Sequence, residues 1–166
     1  MTNIINAIMS FFAALVFHEL GHYFAARVCA VPIKQAGFGW GPKVFGVTVN
    51  RVDCQVRLFP VGAYVQMDMG LLQRRPLIQQ LFVLGAGIGV NLVLCALTWG
   101  SLFGVFNLAL ALGNLIPLYQ LDGWKSGMVI CRRMFGRPSP LVEWILTIGG
   151  GAIGLSILAR AILLNV

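Results

Sequence analysis

The only two histidines of the chain lie four positions apart, in the run His18-Glu19-Leu20-Gly21-His22. On an α-helix, residues four apart lie on nearly the same face, so both imidazoles could reach one metal ion. Glu19 is one residue round from His18, where its carboxylate could take a proton from a water at the metal without being a ligand. This spacing predicts a zinc site with Glu19 as its general base. A pair of histidines that hydrogen-bond between helices is the structural alternative.

A zinc site of this kind needs a third protein ligand and leaves one position for water. Without a third histidine, the candidates are the remaining acids, Asp53, Asp68, Asp122 and Glu143. His22 lies five residues before Arg27, and Asp122 lies three residues before Lys125. Because such basic residues mark the membrane surface, His22 and Asp122 should lie at a similar depth. Asp122 is therefore favoured as the third ligand, and Glu143 is the rival, although an exposed charge near a helix N-terminus also explains it.

The composition places this motif in a membrane protein. Of the 166 residues, 58% are hydrophobic and 10% are charged, and the mean hydropathy is +0.85. A soluble domain has about 25% charged residues, so this chain could not cover a water-facing surface. The net charge of +7 could indicate a nucleic-acid partner, but the basic residues fall between and beside apolar segments. That positive-inside pattern predicts contact with a lipid bilayer and no nucleic acid.

We predict an all-α polytopic membrane protein that forms a single domain over residues 1–166, with about four transmembrane helices. The first segment lacks the positive start of a signal peptide and contains the histidines, so it should be a retained span. The links after spans one and three are basic and the Gly100-Ser101 link is uncharged. Both termini should therefore lie outside, with the site near the cytoplasmic side. The spans are expected at about 3–27, 77–99, 102–133 (broken near Pro117, which lacks a backbone donor) and 141–164.

A small β-hairpin or sheet is expected between the first two spans, at about residues 37–68. Val52, Cys54, Val56 and Leu58 alternate with polar residues, which is typical of a strand with one apolar face. Val47 and Val49 indicate a partner strand, with a turn at Asn50-Arg51. We expect this region to lie against the membrane; a soluble loop is the alternative.

Two motifs resemble those of the site-2 proteases, the intramembrane zinc metalloproteases of peptidase family M50. The histidine motif and its flank Tyr23-Phe24-Ala25-Ala26-Arg27 are similar to the family's first motif. Asn114-Leu115-Ile116-Pro117 followed by Leu121-Asp122-Gly123 resembles the family's Asn-x-x-Pro-x-x-x-x-Asp-Gly motif. The resemblance implies that Asp122 is the third ligand of one zinc ion. It also implies that Asn114 holds the substrate main chain or the oxyanion.

Weaker similarities lie between these motifs. They are Gly39-Trp40-Gly41-Pro42-Lys43, Pro60-Val61-Gly62-Ala63-Tyr64-Val65 and Ala86-Gly87-Ile88-Gly89-Val90-Asn91. The chain departs from the family pattern at Ala63, Ile88 and Trp124, none of which is a ligand or the base. Asn91 is a second candidate for the oxyanion role, although hydrogen bonding between helices is the favoured interpretation of Asn91 and of Asn107. The Gly85-x-Gly87-x-Gly89 cluster predicts close helix contact rather than a phosphate-binding loop.

The resemblance implies a short bacterial type without PDZ domains, multi-pass in the cell (inner) membrane. Such a protein would cleave transmembrane segments of single-span membrane proteins, or signal-peptide remnants, in regulated intramembrane proteolysis. A substrate helix must unwind to expose its carbonyls, and the β region could hold it by strand addition; a mere surface element is the alternative. An accessory or regulatory membrane protein is an expected partner. The competing functions are a catalytically silent zinc-binding module, a metal transporter and a metalloprotease with a Glu ligand.

Overall fold

The computed structural model describes residues 2–116, 118–136, 144–145, 147–153, 156 and 160. The fold is mostly helical with one small antiparallel sheet, which confirms the coarse fold class. The elements in chain order are α1 (Thr2–Val28), β1 (Ile33–Val49), β2 (Val52–Met67), α2 (Met69–Gln73), α3 (Leu77–Leu97), α4 (Leu102–Leu115) and α5 (Asp122–Phe135).

Among the described residues, two helices are long and apolar enough to cross a membrane, the segment Ile4–Val28 of α1 and the whole of α3. They agree with the first two predicted spans. The third predicted span is divided, because α4 ends at Leu115 and α5 begins at Asp122. Pro117, to which the break was assigned, lies outside the described residues. Of the predicted span 141–164, only residues 144–145, 147–153, 156 and 160 are described, and they are helical.

The end of α1 is a regular helix stop. Ala30 has a φ of 51°, in the left-handed region. The Val31 N–H donates to the carbonyl of Ala26 at 2.8 Å, and the Ala30 N–H donates to that of Arg27 at 3.1 Å. These two bonds form a Schellman motif, and Pro32 then prevents the helix from continuing. The helix therefore ends six residues beyond His22, and the chain then enters the sheet.

The predicted hairpin is present, with its turn at the predicted place. Val49 pairs with Val52, and both turn residues have positive φ, 49° at Asn50 and 66° at Arg51. Two positive φ values define the type I′ turn that suits the twist of a tight hairpin. The strands cover 33–67, so the sheet starts four residues before the predicted region.

The predicted apolar face of β2 is buried at Val52 but exposed further along the strand. Val56 is 48% exposed and Leu58 is 54% exposed, whereas Gln55 is buried. Gln55 can be buried because its amide is bonded: Nε2 donates to Asp53 at 2.6 Å, and Oε1 accepts from the Tyr64 hydroxyl at 3.1 Å. The exposed apolar side chains suit a sheet that lies against lipid.

The described helices pack around α3, which contacts α1, α4 and α5. Helix α1 approaches it closely at Gly21, where an added Cβ would lie 2.8 Å from the carbonyl oxygen of Ala86. Small residues permit this approach in lipid. One core cluster lies beneath the sheet and joins α1, β1, β2, α2, α3 and α5. Its buried members are Ala25, Ala26, Cys29, Val31, Ile33, Val52, Leu72, Val83, Leu84 and Val129.

Candidate metal centre

Three buried side chains meet where α1, α3 and the start of α5 come together. His18 and His22 lie one turn apart on α1, and Asp122 is the first residue of α5. The Oδ2 atom of Asp122 lies 3.0 Å from Nε2 of His18 and 2.8 Å from Nε2 of His22. The two Nε2 atoms are 3.2 Å apart. The structure thus brings together the three side chains that the sequence analysis selected as ligands.

The hydrogen bonds on the far side of each imidazole fix which nitrogen faces the centre. Nδ1 of His22 donates to the carbonyl oxygen of Val83 at 2.8 Å. Nδ1 of His18 donates to Oδ1 of Asn91, also at 2.8 Å. Each neutral imidazole then presents a lone pair at Nε2, next to the carboxylate oxygen of Asp122. Three acceptor atoms this close repel one another unless a proton or a cation lies between them.

This donor set fits a zinc ion. Two neutral imidazole nitrogens and one carboxylate oxygen are a common ligand set for zinc at a site that keeps a further position open. Zinc bonds of about 2.1 Å in tetrahedral geometry separate the donor atoms by roughly 3.4 Å. The observed separations of 2.8 to 3.2 Å are a few tenths of an ångström shorter. Small rotations of the three side chains would reach the required spacing.

Asn91 belongs to a hydrogen-bonded chain that runs away from the centre. Its Nδ2 donates to Oδ1 of Asn107 at 3.0 Å, and Nδ2 of Asn107 donates to the carbonyl oxygen of Phe103 at 2.8 Å. Both asparagine side chains are fully buried. These contacts join α3 to α4, which agrees with the interpretation that Asn91 and Asn107 form hydrogen bonds between helices. They also orient His18. The oxyanion role of Asn91 stays a prediction, and these contacts do not support it.

Gly87 of α3 lies directly against the two imidazoles. A Cβ added at this position would be 2.5 Å from Nε2 of His22 and 2.7 Å from Nε2 of His18. A real Cβ atom essentially never comes so near to another heavy atom, so only glycine lets α3 close this side of the centre. The sequence analysis assigned Gly87 to helix contact and missed this role. Its spacing of four from Asn91 could have indicated it, because both residues then share the face towards α1.

The centre opens on one side into a cleft of about 280 Å³. Glu19, His22, Asp122 and Lys125 line one wall, and residues 64–67 of β2 line another. Glu19 is half-buried here and is not one of the three clustered donors, and its role as general base stays a prediction. Lys125 donates to Oδ1 of Asp122 at 3.0 Å, which leaves Oδ2 to the histidines. The position of Lys125, three residues after Asp122 on one helix, could have predicted this contact from the sequence. No feature of the sequence predicts the contact between His22 and the Val83 carbonyl.

Asn114 is placed differently from the other candidates. Its Nδ2 donates to the carbonyl oxygen of Leu110, one turn earlier in α4, at 3.0 Å. It does not line the cleft that holds Glu19. Its role towards substrate therefore stays a prediction. Glu143, the rival ligand, lies outside the described residues.

The centre combines a His-His-Asp donor set with an adjacent glutamate, and apolar helices enclose it. These features define a membrane protein with a metal centre of the metallopeptidase type. The chain matches the family model of peptidase family M50 over residues 6–105, and it therefore belongs to that family. The matched segment contains both histidines and Glu19, whereas Asn114 and Asp122 lie beyond it.

Related proteins carry metalloprotease names. The chain is 35% identical over 99 residues to a Clostridium perfringens protein provisionally named a zinc metalloprotease. The aligned region covers 55% of this chain and 30% of that protein. The chain is 37% identical over 67 residues to the zinc metalloprotease RasP of Geobacillus kaustophilus, and this aligned region covers 40% of this chain and 16% of RasP. The chain thus spans less than a third of the length of these relatives.

Replacement of Gly87 by alanine should abolish metal binding, because the new methyl group would displace both imidazoles. Gly89→Ala is the matched control, since nothing lies within 4 Å of a Cβ at that position. The measurement is metal content per chain after purification and dialysis. A Gly87→Ala protein that keeps as much zinc as Gly89→Ala would contradict the described packing of α3.

Replacement of Asn91 by alanine should weaken metal binding by about 10- to 100-fold, since loss of an orienting partner typically has this effect. Asn114→Ala should retain wild-type affinity, because its amide bonds only within its own helix. Competition with a chromophoric chelator would measure both dissociation constants. Equal losses in the two variants would argue against an orienting role for Asn91.

Proposed function

We infer that this chain is an intramembrane zinc endopeptidase of the site-2 protease type. Its substrates would be transmembrane segments of single-span membrane proteins or signal-peptide remnants, cut in regulated intramembrane proteolysis. The observation that carries the proposal is that Glu19 lines the same cleft as two of the three proposed ligands, His22 and Asp122. The general base has to deprotonate the water that attacks the carbonyl polarised by the Lewis acid, and this arrangement would allow it.

The residues of the centre would divide the chemistry among them. His18, His22 and Asp122 would hold one zinc ion, which, when bound, supplies Lewis-acid polarisation of a peptide carbonyl and makes a neighbouring water more acidic. The Glu19 carboxylate would accept a proton from the attacking water and then pass it to the nitrogen of the leaving amine. Asn114 is the proposed donor to the substrate main chain or the oxyanion.

The sheet supports a route by which an extended substrate could reach Glu19. Residues 63–66 of β2 each have one register partner, in 35–38 of β1, whereas residues 35–38 each have two. Among the described strands, 63–66 is therefore an open edge, and part of it lines the cleft with Glu19. A substrate helix that unwinds could pair with this edge, which would hold its carbonyls beside the site.

The membrane arrangement is part of the proposal. We place the chain in a bacterial inner membrane with four spans, both termini outside and the centre near the cytoplasmic face. The basic links and the two long apolar helices support this. An accessory membrane protein that delivers or withholds substrate is a further expected partner.

Two other functions use the same metal ligands. A catalytically silent zinc module would not need Glu19 on the cleft wall. A metal transporter would need polar groups along a path through several spans, whereas His18, His22 and Asp122 gather at one centre, with Glu19 on the cleft beside it. Both observations favour a protease.

Glu19→Gln should retain zinc and lose cleavage by at least about 100-fold, because general-base catalysis contributes roughly 10² to 10⁴ in rate. Membrane proteomics of cells that express either form would reveal fragments made only by the wild type. Metal content is the control for an intact site. Cleavage at the wild-type rate by the variant would refute the general-base assignment.

The ligand assignment is tested by a second pair of variants. Asp122→Ala should lose zinc, because one of three protein ligands is removed, whereas Glu143→Ala should keep it. Metal content per chain measures both. The reverse result would transfer the third ligand to Glu143.

A further inference from the structure

A pocket in the sheet lies next to the cleft of the metal centre. It has a volume of about 420 Å³, within the usual range of ligand sites of roughly 300–1,000 Å³. It is lined by Gln35, Gly39 and Trp40 of β1 and by Arg57 and residues 62–66 of β2. We call it the sheet pocket. Residues 64–66 line the cleft that holds Glu19 as well, so the two spaces share one stretch of the open edge strand.

Arg57 supplies the charge of the sheet pocket and is held in place by three hydrogen bonds. Its Nε donates to the Tyr64 hydroxyl at 3.1 Å, Nη1 to the carbonyl oxygen of Gly41 at 3.0 Å, and Nη2 to Oε1 of Gln55 at 3.2 Å. The guanidinium carbon also lies 5.2 Å from the centroid of the Tyr64 ring, within the range of a cation–π contact. A side chain fixed in this way loses little conformational entropy when it binds a ligand.

The three acceptors of Arg57 are all neutral, so its positive charge remains available. It forms no ion pair with an acid in the described part of the chain, and none of the described acids lines the pocket. Asp53, which is joined to Arg57 only through the side chain of Gln55, pairs instead with Lys43 at 3.1 Å. A guanidinium has five N–H donors, which leaves two for a ligand. A carboxylate suits them best, because it can accept two such bonds at once.

A glycine of β1 makes room for this arrangement. A Cβ added at Gly37 would lie 2.7 Å from the hydroxyl oxygen of Tyr64 and 2.8 Å from its ring carbon Cζ. The Tyr64 ring therefore lies against the backbone of β1, where its hydroxyl meets Arg57. Gly39 and Gly41 follow at positive φ, 95° and 91°, and the carbonyl of Gly41 accepts from Arg57. The sequence analysis assigned no role to this glycine run.

The shared strand determines what could reach both spaces. An extended segment that pairs with the edge 63–66 places every second side chain on the face of the sheet that carries Tyr64. The sheet pocket extends along this strand to Gly62, and the cleft extends to Met67. At one residue of the segment for each residue of the strand, a side chain in the pocket lies within about five residues of the backbone beside Glu19.

We propose that the sheet pocket selects an acidic side chain of the substrate, with Arg57 as the specificity-determining residue. The carboxylate would accept the two remaining N–H groups of Arg57, and Trp40, which is 75% exposed, would cover the carbon chain of the acid. The inference rests on the proposed function, because it assumes a peptide along the edge 63–66. Preferred substrates would carry a glutamate or aspartate within about five residues of the cleaved bond.

The test uses the purified full chain with Glu19→Gln, which leaves a peptide uncut. The probes are two fluorescein-labelled peptides of alternating threonine and valine, one with a central glutamate and one with glutamine at that place. Fluorescence anisotropy should give a Kd at least about tenfold lower for the glutamate peptide, because an ionised acceptor strengthens a hydrogen bond. Adding Arg57→Gln should remove this preference.

Arg51→Gln is the matched control, because it removes the same charge from an exposed position in the hairpin turn and should keep the preference. A glutamate that bound zinc instead would not respond to Arg57→Gln. Zinc content and thermal unfolding check that each variant is folded. If Arg57→Gln is not, Arg57→Lys is compared with Arg51→Lys and should reduce the preference at least about threefold, since an ammonium lacks the planar fork that binds two oxygens.

Three results would overturn the proposal. The first is an equal preference in the Arg57 and Arg51 variants, and the second is no binding of either peptide, since the edge would then accept no strand. The third is release of the glutamate peptide by short-chain phosphatidylglycerol where short-chain phosphatidylcholine has no effect, which would assign the pocket to a lipid headgroup. Retention of the peptide in that arm supports a peptide carboxylate.

Binding and cleavage fail separately in this design. A preference that depends on Arg57 would stand even if cleavage by Glu19→Gln at the wild-type rate refuted the general base. Loss of the preference, with fragments still made by the wild type alone, would remove the acidic specificity and leave the peptidase.

Discussion

The structure depends on the hydrogen bonds that turn two imidazoles towards one carboxylate inside an apolar protein. Lipid offers no partners, so each buried polar atom of the centre must be satisfied by the chain itself. The Val83 carbonyl and the Asn91 amide meet this need at the two Nδ1 atoms. Both belong to α3, which must therefore lie close against α1. The glycines at 21 and 87 are where that approach is closest.

The same core that fixes the helices also places the sheet beside the centre. Val83 and Leu84 of α3 pack with Val52 of β2 and with Leu72 of α2 in one buried cluster. The open edge of β2 is thereby held next to Glu19, although the sheet contributes no ligand. The proposed cleavage of a transmembrane helix would need both an apolar place for the helix and an edge that accepts it once unwound. Here one packing cluster determines the positions of both.

Positive charge is arranged at two distances from the centre. Lys125 bonds directly to Asp122 and shares the charge of a ligand. A second cleft, lined by the arginine pairs Arg74–Arg75 and Arg132–Arg133, lies at the other end of the same helix α5, beside the start of α3. Helix α5 therefore extends from the ligand set to this second cleft.

The sequence by itself determined the features that depend on local geometry. Helical periodicity puts His18 and His22 on one face, and the turn at Asn50-Arg51 follows from the valines on either side of it. Because the sequence has no third histidine, the third ligand could be narrowed to one of the remaining acids. The structure alone places Asp122, 104 positions from His18, within bonding distance of both imidazoles. It alone shows that Gly87 contacts the imidazoles, that Gln55 is buried and that the arginine pairs converge. These contacts depend on how helices and strands pack in three dimensions, and residue spacing along one element contains no information about that packing.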